Sequence, residues 1–245
     1  MANTPTLWDD ALLTNPHAVA DKRRRVQTMF SAIAPSYDLN NRLHSLWMDQ
    51  YWRKTAVKLA EVRPTDQIVD IACGTGDLTL AMSRGNTKTP IGIDFTYAML
   101  PLARSKSPAN FVWINGDALA IPLEDACADV VSVAFGIRNV TDPAAALREF
   151  KRILRPGGRI IILEFSLPSR AILRALYRLY FCCILPRTAT WISRDRTGAY
   201  RYLPQSVNTF INRETMKEMM NQAGFTAVSH HSMTCGICVC YRGLA

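Results

Sequence analysis

The sequence predicts an α/β fold: a doubly wound, seven-stranded, mostly parallel sheet with an antiparallel C-terminal hairpin, N-terminal helices and a helical insertion after the fifth strand. Three observations predict it. From residue 68 onward, short apolar runs at 68–72, 91–95, 111–114, 129–134 and 159–165 alternate with helical patterns at 78–83, 97–105 and 143–154, the order of right-handed βαβ crossovers in a parallel sheet. The first three of these runs lead into an acid or a glycine turn, where open parallel sheets bind their ligands. A last helix at 213–223, stopped by Gly224, is followed by runs at 225–232 and 236–241 that can pair as a hairpin.

The elements before the sheet are helical. Residues 21–34 carry Lys22-Arg23-Arg24-Arg25 and then Val26, Met29, Phe30 and Ile33 on one helical face; the basic run is expected as a solvated face. After Pro35, the segment from Tyr37 and Asp38 to Asn41 is rich in turn-forming residues, and 43–59 is a helix with Trp47, Tyr51 and Trp52. These aromatics suit a lid or wall for a flat apolar ligand, and packing onto the domain is an equal alternative. The chain therefore divides into a helical lid (20–60), a cofactor core (61–165), an insertion (166–212) and a terminal helix with hairpin (213–245), all in one domain of ordinary size.

Residues 68–79 organise the core. An apolar run passes through Asp70 and turns through Gly74 and Gly76 into a helix start, and glycine there lets the backbone take positive φ and approach a ligand. A dinucleotide fingerprint needs a third glycine, but Thr79 stands in its place. The turn is closer to the D-x-G-x-G-x-G of S-adenosylmethionine-dependent methyltransferases, with Ala72 in the first glycine place. Asp94, about 20 residues beyond Gly74, ends the second strand where a carboxylate can take both ribose hydroxyls. Asp117 ends the third apolar run in the same way. Each acid taken alone could equally be a strand-end turn cap.

The insertion begins with Arg170, Arg174 and Arg178 at four-residue spacing, with Ile172, Leu173, Leu176, Leu179 and Tyr180 on the other side. That is a basic amphipathic helix, fit for an anionic membrane surface or a lipophilic site, or a cap helix with its arginines in water. Pro186 is expected to break the run. With 29 basic against 20 acidic side chains, the net charge of +9 favours an anionic partner without choosing among nucleic acid, membrane and acidic ligand. Seven cysteines form no secreted framework; Cys235, Cys238 and Cys240 lack the second pair that a zinc site needs and are expected as buried strand cysteines, so no metal is expected. Residues 1–20 do not read as a signal peptide, and no stretch reaches the roughly 18 apolar residues of a membrane span. The expectation is a cytoplasmic protein, compatible with a peripheral position on the inner face of the membrane.

Longer signatures carry a specific resemblance. The segment from Tyr37 to Trp52, Phe135-Gly-Ile-Arg-Asn-Val140, the segment from Arg152 to Ser166, Tyr200-Arg-Tyr-Leu203 and the stretch from Gly236 to Gly243 resemble the ubiquinone/menaquinone biosynthesis C-methyltransferase family. The chain departs from the family pattern at Asn40 (usually Met), His44 (aliphatic), Asp49 (His) and Ala134 (often Ser). The resemblance implies transfer of the methyl of S-adenosylmethionine to a ring carbon of a polyprenylated quinol. Carried over by position, Asp70, Gly74, Thr75, Gly76, Asp94, Asp117, Ala118 and Ala134 would hold the cofactor. Arg138, Asn139, Tyr37 and Asp38 would serve the chemistry, with Arg138 stabilising a phenolate. The expected partners are the lipophilic quinol, the membrane surface and, as an option, a second copy of the chain. A demethylmenaquinol is the favoured acceptor and 2-polyprenyl-6-methoxybenzoquinol the alternative. A nucleic-acid methyltransferase is less consistent, because no Asn/Asp-Pro-Pro-aromatic motif follows the fourth strand; a nicotinamide oxidoreductase is the rival from another class.

Overall fold

The computed structural model describes residues 7–245; the start of the stretch read for a signal peptide lies outside them. Seven strands form one sheet in the order β3-β2-β1-β4-β5-β7-β6: β1 (Ile68–Ile71), β2 (Ile91–Asp94), β3 (Val112–Asn115), β4 (Ala128–Ala134), β5 (Leu154–Phe165), β6 (Thr226–Met233) and β7 (Cys238–Leu244). The first five are parallel, β7 is antiparallel to β5 and β6 to β7. The predicted sheet and hairpin are thus both present. The largest strand-boundary difference is in β5, which begins at Leu154 and runs through Pro156-Gly157-Gly158, with a register shift against β4 taking up the irregularity.

Among the described residues, eleven α-helices surround the sheet: α1 (Asp10–Leu13), α2 (Lys22–Ile33), α3 (Tyr37–His44), α4 (Met48–Ala60), α5 (Asp77–Met82), α6 (Leu100–Lys106), α7 (Pro143–Ile153), α8 (Ala171–Leu179), α9 (Leu185–Ser193), α10 (Ala199–Asn208) and α11 (Arg213–Gln222). The central strands are apolar throughout because both faces are covered. Val131, Val133, Ile160 and Ile162 pack with Leu147 and Phe150 of α7 and Met216 and Met220 of α11. Ile68, Val130 and Ile161 pack with Trp52 and Ala56 of α4 and Leu78 and Met82 of α5 on the other side. A third cluster, with Trp8, Met29, Ile33, Tyr177, Phe181, Leu185 and Tyr202, joins α2, α8, α9 and α10 to the N-terminal segment.

Several local expectations are corrected. The segment 37–41 is helical and opens α3; the chain instead turns between α3 and α4, at Leu46 and Trp47, both left-handed at φ 51° and 61°. Pro186 does not break the insertion. It occupies the first turn of α9, where no backbone donor is needed, and a π-helical turn at Tyr180–Ile184 joins α8 to α9. Helix α8 presents its apolar stripe outward, with Ile172, Leu176 and Leu179 exposed and Tyr177 buried. Cys238 and Cys240 are buried in β7, whereas Cys235 is exposed in the hairpin turn. No group of potential metal ligands occurs among the described residues, and no described helix is long and apolar enough to cross a membrane.

The glycines Gly76 and Gly92 serve the core. A Cβ on Gly76 would lie 2.5 Å from the Trp113 ring, and one on Gly92 2.3 Å from it, so the indole lies across both backbones. Gly92→Ala is expected to destabilise the protein by about 1–3 kcal/mol through overpacking. The double variant with Trp113→Leu should recover part of that loss, as thermal or denaturant unfolding of the two variants and the parent will read.

Candidate active site

The carboxyl ends of β1, β2 and β4 border a chamber of about 830 Å³, counted with its space open to solvent. Gly74 and Asp94 stand on one side, Phe95, Met99, Ala118 and Leu119 form an apolar slot, and Ala134 and Asn139 close the far end. A Cβ on Gly74, at φ +54°, would meet nothing nearer than Tyr37 at 3.9 Å. This glycine is therefore open toward the chamber, where a ligand can lie against the backbone. Asp94 accepts 2.7 Å hydrogen bonds from the backbone N–H of Gly74 and of Thr96. Burial nevertheless pushes its carboxyl up to about 6. Its remaining lone pairs can accept from hydroxyls, as the sugar of S-adenosylmethionine requires.

Not every residue expected at the cofactor lines this chamber. Asp70 is buried, and its oxygens accept 2.6 Å bonds from the hydroxyls of Ser132 on β4 and Thr79 on α5. It ties two strands and a helix together behind the turn. Gly76 faces Trp113, as described, and the Thr75 hydroxyl donates to Asp38 at 2.6 Å. Asp38 also takes a 2.7 Å ion pair from Lys106, which pairs with Asp77 as well. Asp38 thus pins α3 over the glycine turn. Asp117 lines the chamber as expected and accepts an ion pair from Arg23 at 2.7 Å.

Helix α2 supplies what the sequence did not signal. Arg23 lies over the Phe95 ring at 4.5 Å while pairing with Asp117, so it latches α2 across the chamber. The basic run is thus not simply solvated. Lys22 is buried and donates to the carbonyls of Arg138 at 2.9 Å and Val140 at 2.8 Å; burial pushes its ammonium down to about 8.

Tyr37, Phe30 and Phe135 line this chamber and also a second one of about 650 Å³, so they form the wall between the two. Phe135 reaches the wall because its backbone is left-handed, φ 57°, a conformation a bulky residue seldom adopts. The second chamber is lined by Asn41, Ser45, Asp49, Trp52, Arg53, Arg138 and Tyr200 among others. The Arg138 Nη1 donates to Glu164 and to the Phe135 carbonyl, both at 2.6 Å, and Nη2 has no protein partner among the described residues. Asn139 lines the first chamber and accepts from the Tyr202 hydroxyl at 2.9 Å. Of the expected aromatic wall, Trp52 is in place, while Trp47 and Tyr51 face outward.

A family model described as the ubiE/COQ5 methyltransferase family matches residues 18–245. The chain belongs to that family. It is 40% identical to the ubiquinone/menaquinone biosynthesis C-methyltransferase UbiE of Citrifermentans bemidjiense, over 93% of this chain and 99% of that one. It is 43% identical to the demethylmenaquinone methyltransferase of Thermus thermophilus, over 88% and 99%. Among solved structures, it resembles a SAM-dependent methyltransferase of Thermotoga maritima (TM-score 0.61, 21% identity, 89% of this chain and 98% of that one). Another is a phosphoethanolamine N-methyltransferase of Haemonchus contortus in complex with S-adenosylmethionine (TM-score 0.54, 18%, 74% and 38%). These two likenesses concern the fold. The protein is an S-adenosylmethionine-dependent methyltransferase, and the first chamber fits that cofactor: an open glycine, a buried acceptor carboxylate and an apolar slot.

Two outcomes follow from this geometry. Because the folded Asp94 carboxyl titrates at about 6, cofactor affinity measured by calorimetry should be flat above pH 7 and fall as pH drops through 6. Asp94→Asn should weaken binding by about tenfold or more, the size of a lost bond to a charged acceptor, and flatten that pH dependence. Glu164→Ala leaves the Arg138 charge buried without its carboxylate and should cost about 3–5 kcal/mol of unfolding free energy.

Proposed function

We propose that this protein transfers the methyl of S-adenosylmethionine to a ring carbon of a polyprenylated quinol, converting a demethylmenaquinol to the menaquinol. The observation that carries the reading is that three neighbouring spaces share lining residues. The second chamber shares only the Phe30, Tyr37 and Phe135 wall with the cofactor chamber. It shares Asn41, Ser45, Trp52, Phe165, Tyr200 and Leu203 with a third, largely apolar space. That space reaches Leu46, which is 79% exposed. A polar ring head fits the second chamber, next to the cofactor, and an isoprenoid tail fits the third. The naphthoquinol is preferred because relatives at 42% and 43% identity are named demethylmenaquinone methyltransferases.

S-adenosylmethionine supplies a methyl group already activated on a sulfonium. What the chain must do is align, exclude water and manage a proton. The Phe30, Tyr37 and Phe135 rings close the contact region to solvent. A phenolic hydroxyl has a pKa of about 10, and the guanidinium groups of Arg53 and Arg138 lining the acceptor chamber favour its ionised form. The unpartnered Nη2 of Arg138 is free to face that oxygen.

The same reading has the protein work on the inner face of the membrane, where its substrate resides. Ile172 at 78% and Trp191 at 82% exposure, with Leu46, Trp47, Leu176, Leu179 and Ile184, leave a large apolar surface on α8, α9 and the α3–α4 turn, and Arg170, Arg178, Arg187 and Arg194 are exposed on the same segment. This composition suits an anionic bilayer surface, and nothing in the reading requires a second copy of the chain.

Labelled S-adenosylmethionine with reduced short-chain demethylmenaquinone or reduced 2-polyprenyl-6-methoxybenzoquinone tests the substrate. Label should enter the naphthoquinol; incorporation into the benzoquinol alone would replace it, and incorporation into neither would overturn the reading. Ile172→Glu with Trp191→Glu should reduce co-sedimentation with anionic vesicles about tenfold or more while leaving turnover of the short-chain acceptor unchanged.

A further inference from the structure

We propose that Asp49 is the group that takes the proton from the acceptor's ring hydroxyl during methyl transfer, an assignment that rests on the second chamber being the acceptor site. Among the described residues lining that chamber, Asp49 is the only carboxylate. Arg53 and Arg138 remain protonated. Burial raises the phenols of Tyr37, Tyr200 and Tyr202 above their ordinary value, that of Tyr200 to about 12, so they stay neutral. No histidine lines the space, and the nearby Glu164 is engaged by Arg138 and lies outside the lining.

The surroundings of Asp49 suit the task. Its side chain projects from the first turn of α4 and is buried, 3% exposed. Oδ2 accepts from Arg53 Nη1 at 2.7 Å and from Gln50 at 2.9 Å, while Oδ1 accepts only the longer, 3.1 Å bond from the Ser45 hydroxyl. Oδ1 therefore keeps an acceptor site, and Ser45 lines the chamber beside it. The Arg53 Nε is buried without a partner, as is the Tyr200 hydroxyl. A chamber lined by one carboxylate and by an arginine whose buried Nε lacks a partner is underfilled polar space, since such groups are costly to leave unmatched. A ring bearing two hydroxyl oxygens is the chemistry that completes it. Ser45 on the α3–α4 turn and Gln50 and Arg53 on α4 contact Asp49, and Tyr37 on α3, Arg138 after β4, and Tyr200 and Tyr202 on α10 are the other polar or titratable groups lining the chamber with it, besides Asn41.

The step balances as follows. The O–H bond breaks, its electron pair flows into the ring, and the proton goes to Oδ1 of Asp49. The ring carbon forms its bond to the methyl as the carbon–sulfur bond breaks and its electrons return to sulfur. The methylated ring then loses the hydrogen on that carbon to water as a proton, and Asp49 returns its proton to the ring oxygen. One proton is released overall, no oxidant is consumed, and Asp49 ends as the carboxylate.

Asp49→Asn keeps the shape and a carbonyl acceptor for Arg53. The Arg53 guanidinium loses its charge partner, so the melting temperature should fall; cofactor affinity should be unchanged, and 1-naphthol, tested without cofactor by fluorescence, should bind several-fold more weakly. Turnover at pH 7 should fall about 100-fold or more, the lower range for general base catalysis. The deficit should shrink as pH rises toward 9, where the hydroxyl ionises without help. Ser45→Ala, should the Asn variant fail to fold, retains the carboxylate and removes a donor that favours its charged form, so the acid limb of the turnover profile should move to higher pH. Turnover within twofold of the parent, a loss independent of pH, or an unmoved acid limb would overturn the assignment. Failure of the parent to methylate any quinol would instead overturn the substrate reading.

Discussion

Everything at the site depends on how β4 ends. Phe135 leaves the strand with a left-handed backbone, a conformation that costs a residue with a side chain about 1–3 kcal/mol. The surrounding contacts offset it. Its N–H donates to Leu163 at 2.7 Å, and its carbonyl accepts from Arg138 at 2.6 Å and Asn139 at 3.2 Å. Gly136 follows, where a Cβ would lie 2.5 Å from that of Ala72, itself left-handed at φ 51°. The two strand ends thus interlock, and the Phe135 ring is thrown into the wall between the two chambers.

The site's carboxylates are distinguished by their partners. Asp70 and Asp94 are both buried and both pushed up to about 6. Asp70 is bonded to hydroxyls on both oxygens and fixes the frame, while Asp94 takes backbone donors and opens onto a ligand space. Asp49 is held by a guanidinium in the second chamber. The arginines that line that chamber supply positive charge in a space largely closed to water, where charge acts more strongly than at the surface. This division suits the proposed methyl transfer to a ring carbon beside a weakly acidic hydroxyl.

The mostly parallel sheet, the hairpin and the glycine turn were legible because periodicity and turn chemistry are local. Gly74 and Gly76 read alike in sequence, yet one faces the ligand space and the other faces Trp113; only the tertiary position of the indole separates them. Asp70 and Asp38 read as site acids because strand ends and motif positions are visible, whereas the hydroxyls of Ser132 and Thr79 that occupy Asp70 come from distant segments. The amphipathic pattern of α8 was legible and its direction was not, since an apolar stripe is normally turned inward and here faces out. The left-handed pair at Leu46 and Trp47 has no glycine to announce it. Arg23, Lys22 and Arg53 carried no signal, because a basic run or a lone arginine gains its role only from the partner the fold supplies.

The central claim is that cofactor and acceptor meet across the wall of Phe30, Tyr37 and Phe135. A crystal structure of the ternary complex with S-adenosylhomocysteine and a reduced short-chain naphthoquinol tests it most directly. The account predicts the nucleoside against Gly74 and Asp94, the sulfur directed at the wall, and the ring beside Asp49, Arg53 and Arg138 with its tail toward Leu46. A ring bound outside that chamber, or a sulfur turned away from the wall, would contradict it.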